Sequence, residues 1–245
     1  MKSYETFSQI KTVKDTPLLL RVDGRSFSKY TKTLELEKPF DERLKNIFIE
    51  VSKDLTKEFN TKYIYTFSDE LNILLDEIPY DGRIEKIDSV IASYTTASFM
   101  KHLYKSKKEF NVDVTELTLP SFDCRIITTA KHLKDYFIWR QNEAWRNCLN
   151  GYAQKILRTQ HSPAKAANIL YKMNKSQVHE MLFQHGINVA HTPTWQRRGL
   201  AVYKKQHQIT GYNPKLDITT KSYRKKVYVD LELDLFTKNF PKNII

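Results

Sequence analysis

Two apolar runs, Tyr63-Ile64-Tyr65-Thr66-Phe67 and Leu71-Asn72-Ile73-Leu74-Leu75, are separated by only Ser68-Asp69-Glu70. Short runs of this kind read as strands, and the gap leaves room for nothing but a tight hairpin. The flanking segments then have little freedom. Leu18-Leu19-Leu20-Arg21-Val22 is a third strand, stopped by the turn pair Asp23-Gly24. Between it and the hairpin, Leu44, Ile47, Phe48, Val51, Leu55 and Phe59 recur at helical spacing over residues 40–59. After the hairpin, residues 84–104 repeat the pattern with Ile87, Ile91, Tyr94 and Ser98, and residues 122–129 form a fourth strand. Strand, helix, strand, strand, helix, strand is the split βαβ order. The expected fold class is α+β, with a ferredoxin-like antiparallel sheet and helices on one face.

Residues 132–158, 163–173 and 176–185 read as further helices, the last with Ser176 as its N-cap. Strands are expected at 199–203 and 226–235. The chain thus divides into a catalytic unit, 1–135, and a helical and β-hairpin extension, 136–245. No apolar run nears the roughly 20 residues of a membrane span, and residues 1–15 lack the apolar stretch of a secretory signal. No membrane association is expected, and a cytoplasmic protein is the simplest reading. Two cysteines and seven scattered histidines offer no zinc pattern.

The net charge of +12 suits a polyanionic partner. From Arg197 to Lys226 there are nine Lys/Arg against the single acid Asp217, with Tyr203, Tyr212 and Tyr223 interleaved. That composition fits a nucleic-acid surface or an exposed basic hairpin. In a split βαβ sheet the end of the first strand lies beside the central hairpin turn, which brings Asp23 and Asp69 together, with Glu70 adjacent. Two carboxylates on neighbouring backbone ends form the oxygen site that Mg²⁺ prefers, completed by water and phosphate. A pair of such ions about 4 Å apart activates a hydroxyl and stabilises a leaving pyrophosphate.

The stretches Arg21-Val22-Asp23-Gly24-Arg25-Ser26-Phe27, Lys38-Pro39-Phe40-Asp41-Glu42-Arg43 and Phe67-Ser68-Asp69-Glu70 resemble the tRNA(His) guanylyltransferase family. So do Phe137-Ile138-Trp139-Arg140-Gln141 and Glu180-Met181-Leu182-Phe183. The resemblance implies a polymerase-like palm, two Mg²⁺ ions, ATP and GTP as activating and incoming nucleotides, a tRNA substrate and a homotetramer. It implies Asp23, the Gly24 carbonyl and Asp69 as metal ligands. The amides of Gly24, Arg25, Ser26 and Phe27 become a triphosphate cradle, a role suited to a turn that presents N–H groups to an anion. Lys38 and Ser68 match positions at the activating nucleotide's phosphates, and Asp41 a position near its base. Arg83 and Lys86 match positions at the incoming triphosphate.

Trp139, Arg140 and Asn147 share one expected helix and are candidates to meet tRNA, core packing being the other reading for Trp139. Arg197 and Arg198 are candidates for phosphate. Where histidine-specific members carry His-x-Asn-Asn, this chain has Trp145-Arg146-Asn147-Cys148-Leu149-Asn150. The run Thr192-Pro193-Thr194-Trp195-Gln196-Arg197-Arg198-Gly199 is similar to the Thg1-like branch, which favours template-dependent 3′-to-5′ repair of truncated tRNA. Addition of G-1 to tRNA(His) is the alternative. A nucleotidyl cyclase or a non-catalytic tRNA-binding protein are the remaining readings.

Overall fold

The computed structural model describes residues 1–245 except 2–3, 14–16, 114, 116, 129–131, 214–216, 243 and 245. Its elements run β1 (Leu18–Gly24), α1 (Phe27–Thr33), α2 (Glu42–Glu58), β2 (Thr61–Phe67), β3 (Glu70–Leu75), α3 (Ile84–Lys105), β4 (Phe122–Thr128), α4 (Leu133–Leu157), α5 (Pro163–Tyr171), α6 (Lys175–Gln184), α7 (Thr194–Arg198), β5 (Leu200–Asn213) and β6 (Ile218–Asp230). Thr129, the end of the expected fourth strand, lies outside the described residues. The six strands form one antiparallel sheet in the order β4-β1-β3-β2-β5-β6. Its first four strands carry the split βαβ connectivity expected from the sequence.

Alternation along the strands builds two cores. Leu18, Leu20 and Val22 join Ile64, Leu71, Ile73 and Val202 on one face, against Phe48, Val51 and Leu55 of α2 and Ile87, Ile91 and Phe99 of α3. Leu19, Tyr63, Tyr65, Phe67 and Leu74 face the other way and pack on Tyr136, Phe137 and Ala144 of α4, with Leu233 and Phe236 from the tail. The split βαβ helices therefore lie on one face, and α4 closes the opposite one. A third cluster, centred on Cys148, Leu149, Val178 and Leu182, holds α5 and α6 to α4.

Three local readings are corrected. The cap of α6 is Asn174, not Ser176: Asn174 accepts from the Gln177 amide at 3.0 Å while Gln177 Oε1 accepts from the Asn174 amide. That reciprocal box satisfies two first-turn amides at once. The strands expected at 199–203 and 226–235 are the roots of a far longer hairpin. Its outer half has no buried face, so it carried no apolar alternation to read. Finally, β6 stops at Asp230, and Leu233 and Phe236 turn down onto α4 instead of extending the strand.

Two polar contacts fasten helices to this frame. Between α2 and α3, Asp54 Oδ2 accepts from Ser98 Oγ at 2.8 Å, meets His102 Nε2 at 2.8 Å and ion-pairs with Lys101. Burial opposes ionisation of Asp54, but hydrogen bonds from Lys101, Ser98 and His102 outweigh it and hold the carboxyl at about 2. Between sheet and α4, Arg140 donates Nε to Glu70 Oε1 at 2.8 Å and a second guanidinium N–H to Oε2 at 2.6 Å. Asn72 donates to the same Oε1 at 2.8 Å, and Tyr136 Oη donates to Asn72 Oδ1 at 2.6 Å.

A carboxyl held below its unfolded value stabilises the fold fully above that value, 3.8, and loses its contribution as pH falls towards about 2. Asp54→Asn is expected to flatten acid denaturation within that window, read as the midpoint of tryptophan fluorescence against pH. Removing one partner of the Glu70–Arg140 pair strands the other charge. Arg140→Met is expected to cost about 3–5 kcal/mol in urea unfolding, and adding Glu70→Gln to recover part of that loss.

Candidate active site

The register decides which acids meet. Asp23 of β1 lies opposite Glu70 of β3, and Glu70 lies opposite Phe67 of β2. Ser68 and Asp69 alone form the turn, so Glu70 belongs to the strand and not to the hairpin tip. Ser68 takes φ +53°, and its hydroxyl donates to Asp69 Oδ1 at 2.8 Å. Asp23 and Asp69 thus stand at the same end of the sheet, as the connectivity predicts.

The three neighbouring acids have different surroundings. Glu70 is buried and neutralised by Arg140. Neither Asp23 nor Asp69 ion-pairs with any Lys, Arg or His among the described residues. Loss of water around Asp69 pushes its carboxyl up to about 6; the Ser68 hydroxyl opposes the rise, and the facing Asp23 charge adds to it. Two facing carboxylates with no cation of the chain beside them fit a hard metal ion. No group of three or more His, Cys, Asp or Glu side chains able to hold a metal occurs among the described residues. Carbonyl, phosphate or water oxygens must therefore complete any such shell.

These acids border a cleft of about 470 Å³. Gly24, Ser26, Phe27, Lys38, Asp41, Ser68 and Asn147 from the sequence-derived set line it with Asp23 and Asp69. Gly24 is required by contact: a Cβ there would meet the Phe27 ring at 2.6 Å. Ser26 turns the chain through φ +52° into α1. The Ser26 and Phe27 amides stand at the head of that helix, where N–H groups lack intrahelical acceptors. The Arg25 amide is different, because it donates to the Ser121 carbonyl at 2.8 Å, and the Arg25 side chain does not line the cleft.

Lys38, which follows α1 and precedes a cis peptide bond to Pro39, is held below the usual lysine range. Partial loss of water is the largest cause, followed by the nearby Arg158 and Lys32 cations; Asp41 opposes them. Such mutual repulsion is relieved by an anion. Asp41 is buried and saturated: it accepts from the amides of Glu37, Arg43 and Leu44 and from the Arg43 guanidinium. Burial raises its carboxyl, but Arg43 and these amides outweigh that and lower it. Its contribution at the cleft is therefore to set the Glu37–Phe40 loop and cap α2, not to present free oxygens.

Sequence reasoning missed the far wall. Phe40 stands edge-on to Trp195 at 5.7 Å, Lys45 Nζ lies 5.1 Å over the Trp195 ring, and Gln196 Oε1 accepts from Tyr152 Oη at 2.6 Å. All but Tyr152 line the cleft. Crossed aromatic rings with polar groups at their edges thus form this side of the cleft. Trp195 and Gln196 stood inside a motif already noted; nothing in the spacing of Lys45 marked it. Gly199 makes the wall possible, since a Cβ there would meet Tyr65 at 2.6 Å.

The remaining sequence-derived residues do not line this cleft. Arg83 and Lys86 stand at the head of α3. Arg140, expected to meet tRNA, is instead buried against Glu70, with its guanidinium 4.3 Å over the half-exposed Trp139 ring. Arg197 donates to the Thr192 carbonyl at 3.0 Å and Arg198 to the Leu233 carbonyl at 2.9 Å.

The family model "tRNAHis guanylyltransferase" matches residues 1–130, and "Thg1 C terminal domain" matches residues 131–234. A probable tRNA(His) guanylyltransferase of Dictyostelium discoideum is 32% identical, covering 91% of this chain and 89% of its own. The Schizosaccharomyces pombe tRNA(His) guanylyltransferase is 27% identical over 98% and 92%. Among solved structures, a bacterial tRNA(His) guanylyltransferase (Thg1)-like protein in complex with ATP superposes with a TM-score of 0.76 at 29% identity, over 98% of this chain and 93% of that one. With a palm-like sheet, paired acids beside a cleft and family models matching both halves, the chain belongs to the tRNA(His) guanylyltransferase family of nucleotidyltransferases.

Proposed function

We propose that this chain adds nucleotides in the 3′-to-5′ direction to the 5′ end of tRNA, copying the opposite strand of the acceptor stem. One observation carries the reading: Asp23 and Asp69 face the cleft without a cation of the chain, while Glu70 beside them is neutralised by Arg140. Asp23, Asp69 and the Gly24 carbonyl would hold two Mg²⁺ ions, which when bound supply charge stabilisation for phosphoryl transfer.

The chain's own residues do the positioning. Ser26 and Phe27 amides, Ser68 and Lys38 bind the triphosphate of the activating nucleotide, whose base stacks towards Trp195. The bacterial relatives solved with ATP and with GTP support nucleotide occupancy of such a fold. Once the 5′ phosphate is activated, the 3′-hydroxyl of an incoming NTP attacks its phosphorus. A new P–O bond forms, the bond to the activating nucleoside monophosphate or to pyrophosphate breaks, and the hydroxyl proton leaves to solvent. Arg83 and Lys86 are assigned to the incoming triphosphate and Asn147 to tRNA, and the chain to a homotetramer, on the resemblance alone.

Incubation with a 5′-truncated tRNA, Mg²⁺ and labelled NTPs tests the reading. Growth that halts at the end of the template supports repair. One untemplated G on tRNA(His) alone returns the assignment to G-1 addition, and cyclic product from NTP without RNA replaces both with a cyclase. Asp23→Asn or Asp69→Asn is expected to slow extension on the order of a thousandfold while leaving tRNA affinity within about twofold, because several kcal/mol of charge stabilisation is lost. Wild-type rates in both variants overturn the metal assignment.

A further inference from the structure

The unbroken run from Leu36 to Asp41 lines the cleft and belongs to the loop that joins α1 to α2. Among the described residues, none of residues 36–40 makes a backbone–backbone hydrogen bond. A segment without a ladder of its own keeps its shape through side chains and packing. Packing holds Leu36, Pro39 and Phe40. Leu36 rests on the core, Phe40 stands against Trp195, and Pro39 is so close to α4 that a Cβ on Gly151 would meet it at 3.0 Å. Glu35 and Glu37 are held by polar contacts that converge on one side chain.

That side chain is Arg43, in the first turn of α2. Its Nε donates to Asp41 Oδ1 at 3.0 Å and its Nη2 to Asp41 Oδ2 at 2.6 Å. The same Oδ2 accepts from the Glu37 amide at 2.8 Å, and Nη2 makes a long contact of 3.4 Å to the Glu35 carbonyl. On the other side, Nη1 donates to the Glu109 carbonyl at 2.8 Å, and the guanidinium carbon lies 4.9 Å from the centre of the Phe110 ring. Phe110 is part of the buried core beneath α2 and α3. Serving these segments together takes a planar fork of donors, which a lysine does not have. Arg43 itself does not line the cleft. The cations that do are Lys38 and Lys45. Lys45 ion-pairs with Glu42, whereas Lys38 ion-pairs with no carboxylate among the described residues. Lys38 is thus the cleft lysine open to an anion, and the loop decides where it stands.

We propose that Arg43 is a positioning residue for triphosphate capture: by clasping Glu35, Asp41 and Glu109 it ties the 36–40 loop to the core and holds Lys38 where the cleft receives an anion. The clasp rests on the nucleotide reading of the cleft given above.

The test uses Arg43→Lys in the full chain, which keeps the charge and a contact with Asp41 but cannot fork to Glu35 and Glu109. Asp41→Asn/Arg43→Gln is the second variant should the first fail to fold, since it strands no charge and keeps an amide oxygen for the α2 cap. Calorimetry measures binding of Mg²⁺-ATP and of inorganic tripolyphosphate, with Tm, tRNA affinity and extension kinetics alongside. Affinity for both anions is expected to fall about tenfold. KM for ATP is expected to rise in step, with kcat at saturation and tRNA affinity within about twofold of the wild type. Against a Lys38→Met background, Arg43→Lys is expected to cost less than about twofold more, because both act through one contact. Unchanged anion affinities overturn the clasp, even where Tm falls. So does a loss that multiplies in full with that of Lys38→Met. A wild type that binds neither ATP nor tripolyphosphate sinks the nucleotide reading and the clasp with it. Arg43-dependent ATP binding in a wild type that extends no RNA sinks the transfer reading and leaves the clasp standing.

Discussion

The bidentate contact between Arg140 and Glu70 sets the character of everything around it. It brings a helix from the second half of the chain onto the sheet of the first, and it neutralises one of three adjacent carboxylates. A buried pair of this kind contributes little net stability against an apolar pair of the same shape, but it is costly to break. Its consequence here is selective. With Glu70 bound internally, Asp23 and Asp69 are the acids at this end of the sheet that have no ion-pair partner among the described residues.

The cleft is then assembled from opposite electrostatic debts. The acids at the β1 end and the β2–β3 turn repel each other, while Lys38 on the neighbouring wall feels the cations of Arg158 and Lys32 behind it. The proposed nucleotide triphosphate with its cation would relieve both at once. Gly24 and Gly199 permit the close approaches of Phe27 and of Tyr65 that shape the two sides.

Motif positions did not translate uniformly into site positions. Asp41 stands at the cleft yet spends its oxygens on the α2 cap and on Arg43. The Arg25 amide, one of four in the expected cradle, closes a contact with Ser121. Arg140 and Arg198 carry the charge of nucleic-acid ligands but donate to a carboxylate and a carbonyl within the fold. Residue type and spacing describe what a side chain is able to do; which partner reaches it first is decided by packing.

The sequence by itself determined the split βαβ order and the meeting of Asp23 with Asp69, because strand alternation and a short hairpin gap leave one compact antiparallel register. Family motifs added the chemistry expected there. Tertiary structure alone decided that Glu70 is an internal counter-charge, that Trp195 and Lys45 wall the cleft, and that the basic tract is a free-standing ribbon. Each of these depends on partners far apart in the chain, or on a strand with no buried face, and local periodicity carries no record of either.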